Sequence, residues 1–125
     1  MKFEEALEIA SGPPLPDDRF MEACTVVATA LESKAHYKVE ALVSRGIGYM
    51  LGQQHAKALR DLDEAVRLNP NFDRAYVNRA ALYSMLGEDQ MALSDFNRSI
   101  DLDPTNPIAY AGRGQLFRRL GMIDK

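Results

Sequence analysis

Few side chains in this sequence could carry bond chemistry, and their spacing thins the set further. His36 and His55 are the two histidines. Both fall at or near expected turns between helices. Neither has a cysteine or carboxylate at ligand spacing on its helix face, so solvated turn residues are the better reading than metal ligands. Cys24 is the one cysteine. Alone it can build neither an internal disulfide nor a Cys-rich zinc site. It lies on an apolar stripe without a cationic neighbour in sequence, which favours a packed thiol over a reactive one. Gly46-Ile47-Gly48 begins like a phosphate loop, yet it sits mid-helix with no strand ahead of it. Asn97-Arg98-Ser99 is a glycosylation triplet inside a helical pattern and without secretory context. No catalytic set emerges, and neither enzyme activity, a metal nor a cofactor is expected.

One charged set does repeat. Arg45, Arg79 and Arg113 lie 34 residues apart, and Asp61 and Asp95 follow the same step. An arginine placed in a helix interface needs a hydrogen-bonded partner. The expected pairs are Arg45 with Asp61 and Arg79 with Asp95, which leaves Arg113 without its aspartate. The alternative is that these guanidinium groups capture an anionic ligand.

The elements that must position these residues follow from the same 34-residue step. Gly46, Ala80 and Gly114 fall in register, as do Tyr49, Tyr83 and Phe117, Ala58 and Ala92, Leu59 and Leu93, and Pro70 and Pro104. Windows 39–72 and 73–106 share nine identities without a gap, where average composition would give roughly two. Within each window Leu42, Gly46 and Tyr49, or Tyr76, Ala80 and Tyr83, share one helix face. A turn is expected at Leu51-Gly52 and Leu86-Gly87, where glycine can supply a left-handed cap. A second helix carries Ala58, Leu62, Ala65 and Leu68, then Ala92, Phe96, Ser99 and Leu102. It stops ahead of Pro70 or Pro104, because a residue preceding proline is pushed out of the helical region.

On these residues the sequence resembles the tetratricopeptide repeat family, over about residues 39–121. The resemblance implies an all-α, right-handed α-solenoid of antiparallel helix pairs, about seven helices in all. Gly46, Ala80 and Gly114 match the small residue of the first helix, Ala58 and Ala92 that of the second, and Pro70 and Pro104 the closing proline. Domain organisation follows: a degenerate helical pair at 1–38, repeats at 39–72 and 73–106, and the first helix of an incomplete repeat at 107–125. In the degenerate part, residues 18–33 carry Phe20, Ala23, Val27, Ala30 and Leu31 on one stripe. Ala23 and Ala30 precede Ala58 and Ala65 by 35 residues, one more than the period. Phe3, Ala6, Leu7 and Ala10 would face that stripe from a helix at 2–10, which the SGPPLP stretch at 11–16 cuts short. That stretch reads as a rigid connector more than as a docking motif. A chain that stops after half a repeat reads as a piece of a longer array, the alternatives being that the last helix acts as the cap or that the open end self-associates.

The resemblance also implies where a partner would sit: in a groove lined by the first helices, holding an extended or helical peptide. The lining residues are Val43, Ile47, Met50 and Leu51, then Arg74, Val77, Asn78, Ala81 and Met85, then Ile108, Gln115 and Arg118. Their apolar, methionine-bearing character suits adaptable protein contacts, and Arg118 with Arg119 adds a basic end that could steer an acidic partner. A competing expectation is that the N-terminal helices fold back over this stripe and make it core. One subfamily grips chaperone C-terminal carboxylates through a Lys, Asn and Arg clamp. Asn78 matches one clamp position, but Val43, Ile47, Ile108 and Gly112 occupy the others, so chaperone-tail binding is not expected.

Composition agrees with a binding module. The 125 residues are 46% apolar and 26% charged, with a net charge of −3. That balance argues against a nucleic-acid binder, which normally carries a basic surplus. No apolar run approaches the ~20 residues of a membrane span. No apolar stretch follows Met1 as a signal peptide would require, and the expected compartment is the cytoplasm. The expected function is a non-catalytic protein–protein interaction module, scaffold or adaptor. The alternative is a regulatory or oligomerisation segment of a larger repeat-containing protein or enzyme.

Overall fold

The computed structural model describes residues 1–30 and 34–121. These form seven α-helices: α1 (Phe3–Ala10), α2 (Asp18–Thr29), α3 (Ala35–Leu51), α4 (His55–Leu68), α5 (Asp73–Met85), α6 (Asp89–Leu102) and α7 (Pro107–Arg119). No strand occurs among the described residues, and none of the helices there is long and apolar enough to cross a membrane. The chain divides into two compact units, Met1–Pro70 and Asn71–Lys125.

In the first unit α1 packs on α2, α2 on α3, and α3 on α4. The N-terminal pair buries Ala6, Ala10, Phe20, Ala23, Cys24 and Val27, with Phe3 and Leu7 packed against them, as their spacing indicates. Leu31 lies outside the described residues. Asp17 starts α2 by accepting a hydrogen bond from the Phe20 N–H at 2.8 Å, satisfying one of the free donors at a helix start. The connector at 11–16 lies against α3. A Cβ on Gly48 would meet the Leu15 carbonyl oxygen at 3.0 Å and Met21 Sδ at 2.6 Å. Gly48 therefore stands where the later windows carry the buried Leu82 and Leu116, because Met21 already fills that space.

The α3–α4 and α5–α6 hairpins close on small residues. Ala58, Ala65, Ala80 and Ala92 are fully buried, and Leu62 packs over Gly46. Helices α4 and α6 end at Leu68 and Leu102, and the residues ahead of Pro70 and Pro104, Asn69 and Asp103, are extended with φ of −141°. The turns differ from expectation in one detail. Gly52 keeps a negative φ, and Gln53 takes the left-handed conformation at φ 59°. The Gln53 and Gln54 N–H groups then bond Met50 O and Tyr49 O, as Gly87 and Glu88 bond Ser84 O and Tyr83 O. The left-handed register is thus 53, 87 and 121, and glycine fills it only at Gly87 and Gly121.

In the second unit α5 packs on α6, α6 on α7, and α7 also touches α5. Asn106 caps α7 by accepting from the Ile108 N–H at 3.0 Å, with Pro107 in the first helical turn, where its missing N–H leaves nothing unsatisfied.

Candidate functional site

Two of the repeated arginines, Arg45 and Arg79, are structural clasps. Arg45 grips Asp61 with two bonds, Nε to Oδ2 at 2.7 Å and Nη2 to Oδ1 at 2.8 Å. Arg79 grips Asp95 in the same way at 2.8 and 2.9 Å. Both aspartates are buried. This bond to Asp61 raises the Arg45 pKa above its ordinary value and outweighs the opposing effect of burial. Aromatic rings frame each guanidinium: Tyr49 for Arg45, Tyr76 and Tyr83 for Arg79, Tyr110 and Phe117 for Arg113. The aromatic three residues before and four after an arginine lie on its own helix face, so this frame was readable in Tyr76, Arg79, Tyr83 and in Tyr110, Arg113, Phe117. Arg113 donates to Asn97 Oδ1 at 2.8 Å, and no carboxylate reaches it among the described residues.

Cys24 is fully buried, and burial pushes its thiol up to about 12 even though Arg45 lies close enough to pull the other way. The cationic neighbour invisible in the sequence comes from α3. Burial still dominates, so the thiolate required for nucleophilic chemistry does not form near neutral pH. His36 is exposed at the start of α3. His55 opens α4, half-buried, and its Nδ1 has no hydrogen-bond partner.

The residues expected to line a groove fall into different environments. Val43 is fully buried and Val77 nearly so. Both belong to the interior and not to an open surface, because the spacing that marks a helix face does not tell which faces are already packed. Ile47 and Met50 are half-buried, and Leu51 is exposed at the end of α3. In the second unit Arg74 and Met85 are exposed on α5, with Asn78 and Ala81 half-buried between them. Ile108, Gln115 and Arg118 are exposed on α7. Because α5 and α7 touch, these seven residues share one unit. Arg119 is not a free cation. It donates to the Ser84 carbonyl at 3.1 Å and pairs with Asp89, locking the end of α7 onto the α5–α6 turn. Gly112 is also packed, since a Cβ there would stand 2.5 Å from the Phe96 ring. Sequence offered no direct signal for these last three contacts, which join residues 16, 30 and 35 positions apart.

Residues 73–106, the α5–α6 hairpin, match the tetratricopeptide repeat family. A 43-residue stretch, 34% of this chain, is 44% identical to Hsp70-Hsp90 organizing protein 3 of Arabidopsis thaliana and spans 8% of that protein. The crystal structure of MamA superposes with a TM-score of 0.78 at 23% identity, over 98% of this chain and 71% of MamA. The first repeat domain of Spaghetti (RPAP3), bound to the HSP90 peptide SRMEEVD, gives 0.72 at 21% identity, over 97% of both chains. The second such domain of human RPAP3, in complex with the HSP70 peptide SGPTIEEVD, gives 0.68 at 23% identity over 79% of each. Residues 73–106 thus match the tetratricopeptide repeat, and the all-α fold is shared with these solved structures across nearly the whole chain.

Proposed function

We propose that the protein is a non-catalytic interaction module, a scaffold or adaptor, that holds a peptide or protein segment against the exposed face of its first helices. One observation carries this reading: α5 and α7 leave large apolar side chains in solvent, Met85 at 58% and Ile108 at 68% exposure. Arg74, Gln115 and Arg118 flank them. Apolar side chains rimmed by polar groups suit a protein contact. The chain is read as a degenerate pair at 1–38, repeats at 39–72 and 73–106, and the first helix of a further unit from 107, working in the cytoplasm.

The relatives support a peptide partner, since two structural neighbours hold HSP70 or HSP90 peptides. The recognition chemistry differs here. Both of those peptides end in Glu-Glu-Val-Asp, an acidic tail that calls for cationic side chains. The positions that would form a carboxylate clamp carry Val43, Ile47, Ile108 and Gly112, and two of those are packed. A segment presenting apolar side chains fits this face better than an acidic tail. Peptides selected by display against the full chain should bind saturably. The variant Met85→Glu with Ile108→Glu should weaken that binding at least about tenfold while helicity by circular dichroism is unchanged. SRMEEVD should not saturate over the same concentration range. Equal binding by wild type and double variant moves the site elsewhere, and tight binding of SRMEEVD overturns the partner chemistry.

A further inference from the structure

The connector between α1 and α2 holds three of the six prolines of the chain, in the stretch Ser11-Gly12-Pro13-Pro14-Leu15-Pro16. The rings of Pro13, Pro14 and Pro16 set φ near −65°. Gly12, Pro13 and Leu15 each precede a proline, which drives them from the helical region toward extended values. Together these constraints specify a polyproline II helix. Residues 13–16 belong to neither helix nor strand, and Asp17 directly after them has φ −83° and ψ 159°, close to polyproline II values.

One side of this segment rests on α3. The Leu15 carbonyl oxygen would stand 3.0 Å from a Cβ on Gly48, and Pro16 Cβ would stand 3.7 Å from one on Gly52. Pro14 is half-buried. A polyproline II helix repeats every three residues, so Pro13 and Pro16 share one ridge and Leu15 lies on the next. Both ridges face solvent: the two prolines are exposed and Leu15 is 48% exposed.

From this geometry we infer that residues 13–16 are a ligand for a WW-type domain, a small partner whose shallow groove of two stacked aromatic rings takes one turn of polyproline II. Exposed proline and leucine ridges lie flat on aromatic faces. The segment is already rigid, so binding has little chain ordering to oppose it. Length selects the type of groove. Four residues span about 12 Å between the ends of α1 and α2, enough for two rings but too short for the longer groove of an SH3 domain. Charge selects the rim. Asp17 and Asp18 follow at once and are exposed, and Arg19, the next cation along the chain, is paired with Glu5 at 2.6 Å. The partner's rim therefore carries Lys or Arg. This site lies on the Met1–Pro70 unit and not on the α5 and α7 face proposed for peptide binding, and the two stand or fall independently.

The probe is a panel of purified, fluorescently labelled WW domains with Lys or Arg beside the groove, together with SH3 domains, titrated into the full chain. The expected result is saturable 1:1 binding by the WW domains. Pro13→Ala with Pro16→Ala should weaken it at least about tenfold with helicity unchanged. Leu15→Ser keeps all three prolines and should weaken it about fivefold on its own. Asp18→Asn should lower affinity and flatten its dependence on salt. The variant Met85→Glu with Ile108→Glu should bind as the wild type does. Failure of every WW domain to saturate below about 1 mM overturns the inference, and so does equal affinity for the proline variant. Binding to a free peptide copying residues 8–19 but not to the chain would show that α3 masks the segment, which overturns it as well. Tighter binding by the SH3 domains would overturn the groove assigned to the partner.

Discussion

Helices α3 and α7 carry the same pattern and live in different surroundings. Each has an arginine followed by a glycine, and an aromatic three residues after that glycine. On α3 the pattern meets α4. Arg45 holds Asp61 with two bonds, and Gly46 lies so close to Leu62 that an added Cβ would stand 3.1 Å from its Cγ. On α7 the arginine bonds an asparagine, and the glycine faces open space. A motif residue therefore has no fixed energetic meaning. Its partner helix decides whether it is a buried clasp or a solvated side chain.

The strongest way to break that comparison is to remove the clasp. Asp61→Ala leaves the Arg45 guanidinium, whose side chain is 18% exposed, without its carboxylate. Stranding one member of a buried pair costs about 3 kcal/mol. Arg113→Met, with no carboxylate to strand among the described residues, should cost less than about 1 kcal/mol. Urea denaturation of both variants checks the contrast, and equal losses would show that α7 is clasped as firmly as α3.

Overpacking comes next. Ala92 has no exposed surface, and Ala92→Leu should overfill the α5–α6 crossing at a cost of about 2 kcal/mol. Gly114→Leu, the analogous enlargement where nothing among the described residues lies within 4 Å of the added Cβ, should leave the melting temperature unchanged or raise it. An unchanged melting temperature for Ala92→Leu would remove the close crossing from the account of this fold.

How far the sequence carried depended on the range of the interaction. The seven helices were legible, because helical periodicity and the breaks at Pro70 and Pro104 are local signals. The Arg45–Asp61 and Arg79–Asp95 pairs were legible as well, since the repeat step duplicated both partners. The packed state of Val43 and Val77 was not, because periodicity marks a face without naming what lies against it. Arg119 looked like a free cation for the same reason, its acceptors Ser84 and Asp89 lying on another hairpin. The left-handed turn residue was misplaced by one position. Gly52 drew attention as a glycine, although the 34-residue step from Gly87 and Gly121 points to Gln53.

That last detail is itself testable. A left-handed conformation at a non-glycine residue costs about 1 kcal/mol, and Gln53 adopts it with φ 59°. Gln53→Gly should stabilise the protein by up to about that amount, the loss of chain stiffness offsetting part of it. No gain in thermal unfolding would mean that the α3–α4 turn is held by other contacts.

Gly114→Ala and Gly46→Ala sharpen the opening contrast at smaller scale. Alanine is favoured over glycine inside a helix by about 1 kcal/mol. At Gly114 the methyl group meets nothing, so most of that gain should appear. At Gly46 the Leu62 contact takes it back, and the net change should lie near zero. Equal gains at both sites would show that Leu62 yields freely.

The smallest effect concerns the second helices. Ser99 is fully buried with an Oγ that has no hydrogen-bond partner, and Ala65 fills the same register in α4. An unsatisfied buried hydroxyl loses its hydration without recompense, and alanine is also the better helix former. Ser99→Ala should therefore stabilise the α5–α6 hairpin by about 0.5 kcal/mol, and Ala65→Ser should destabilise α3–α4 in the opposite sense. Opposite signs in paired denaturation curves would show that the two crossings are equally dry. A loss on Ser99→Ala would mean that the hydroxyl finds a partner in solution, leaving the α6 crossing the more hydrated of the two.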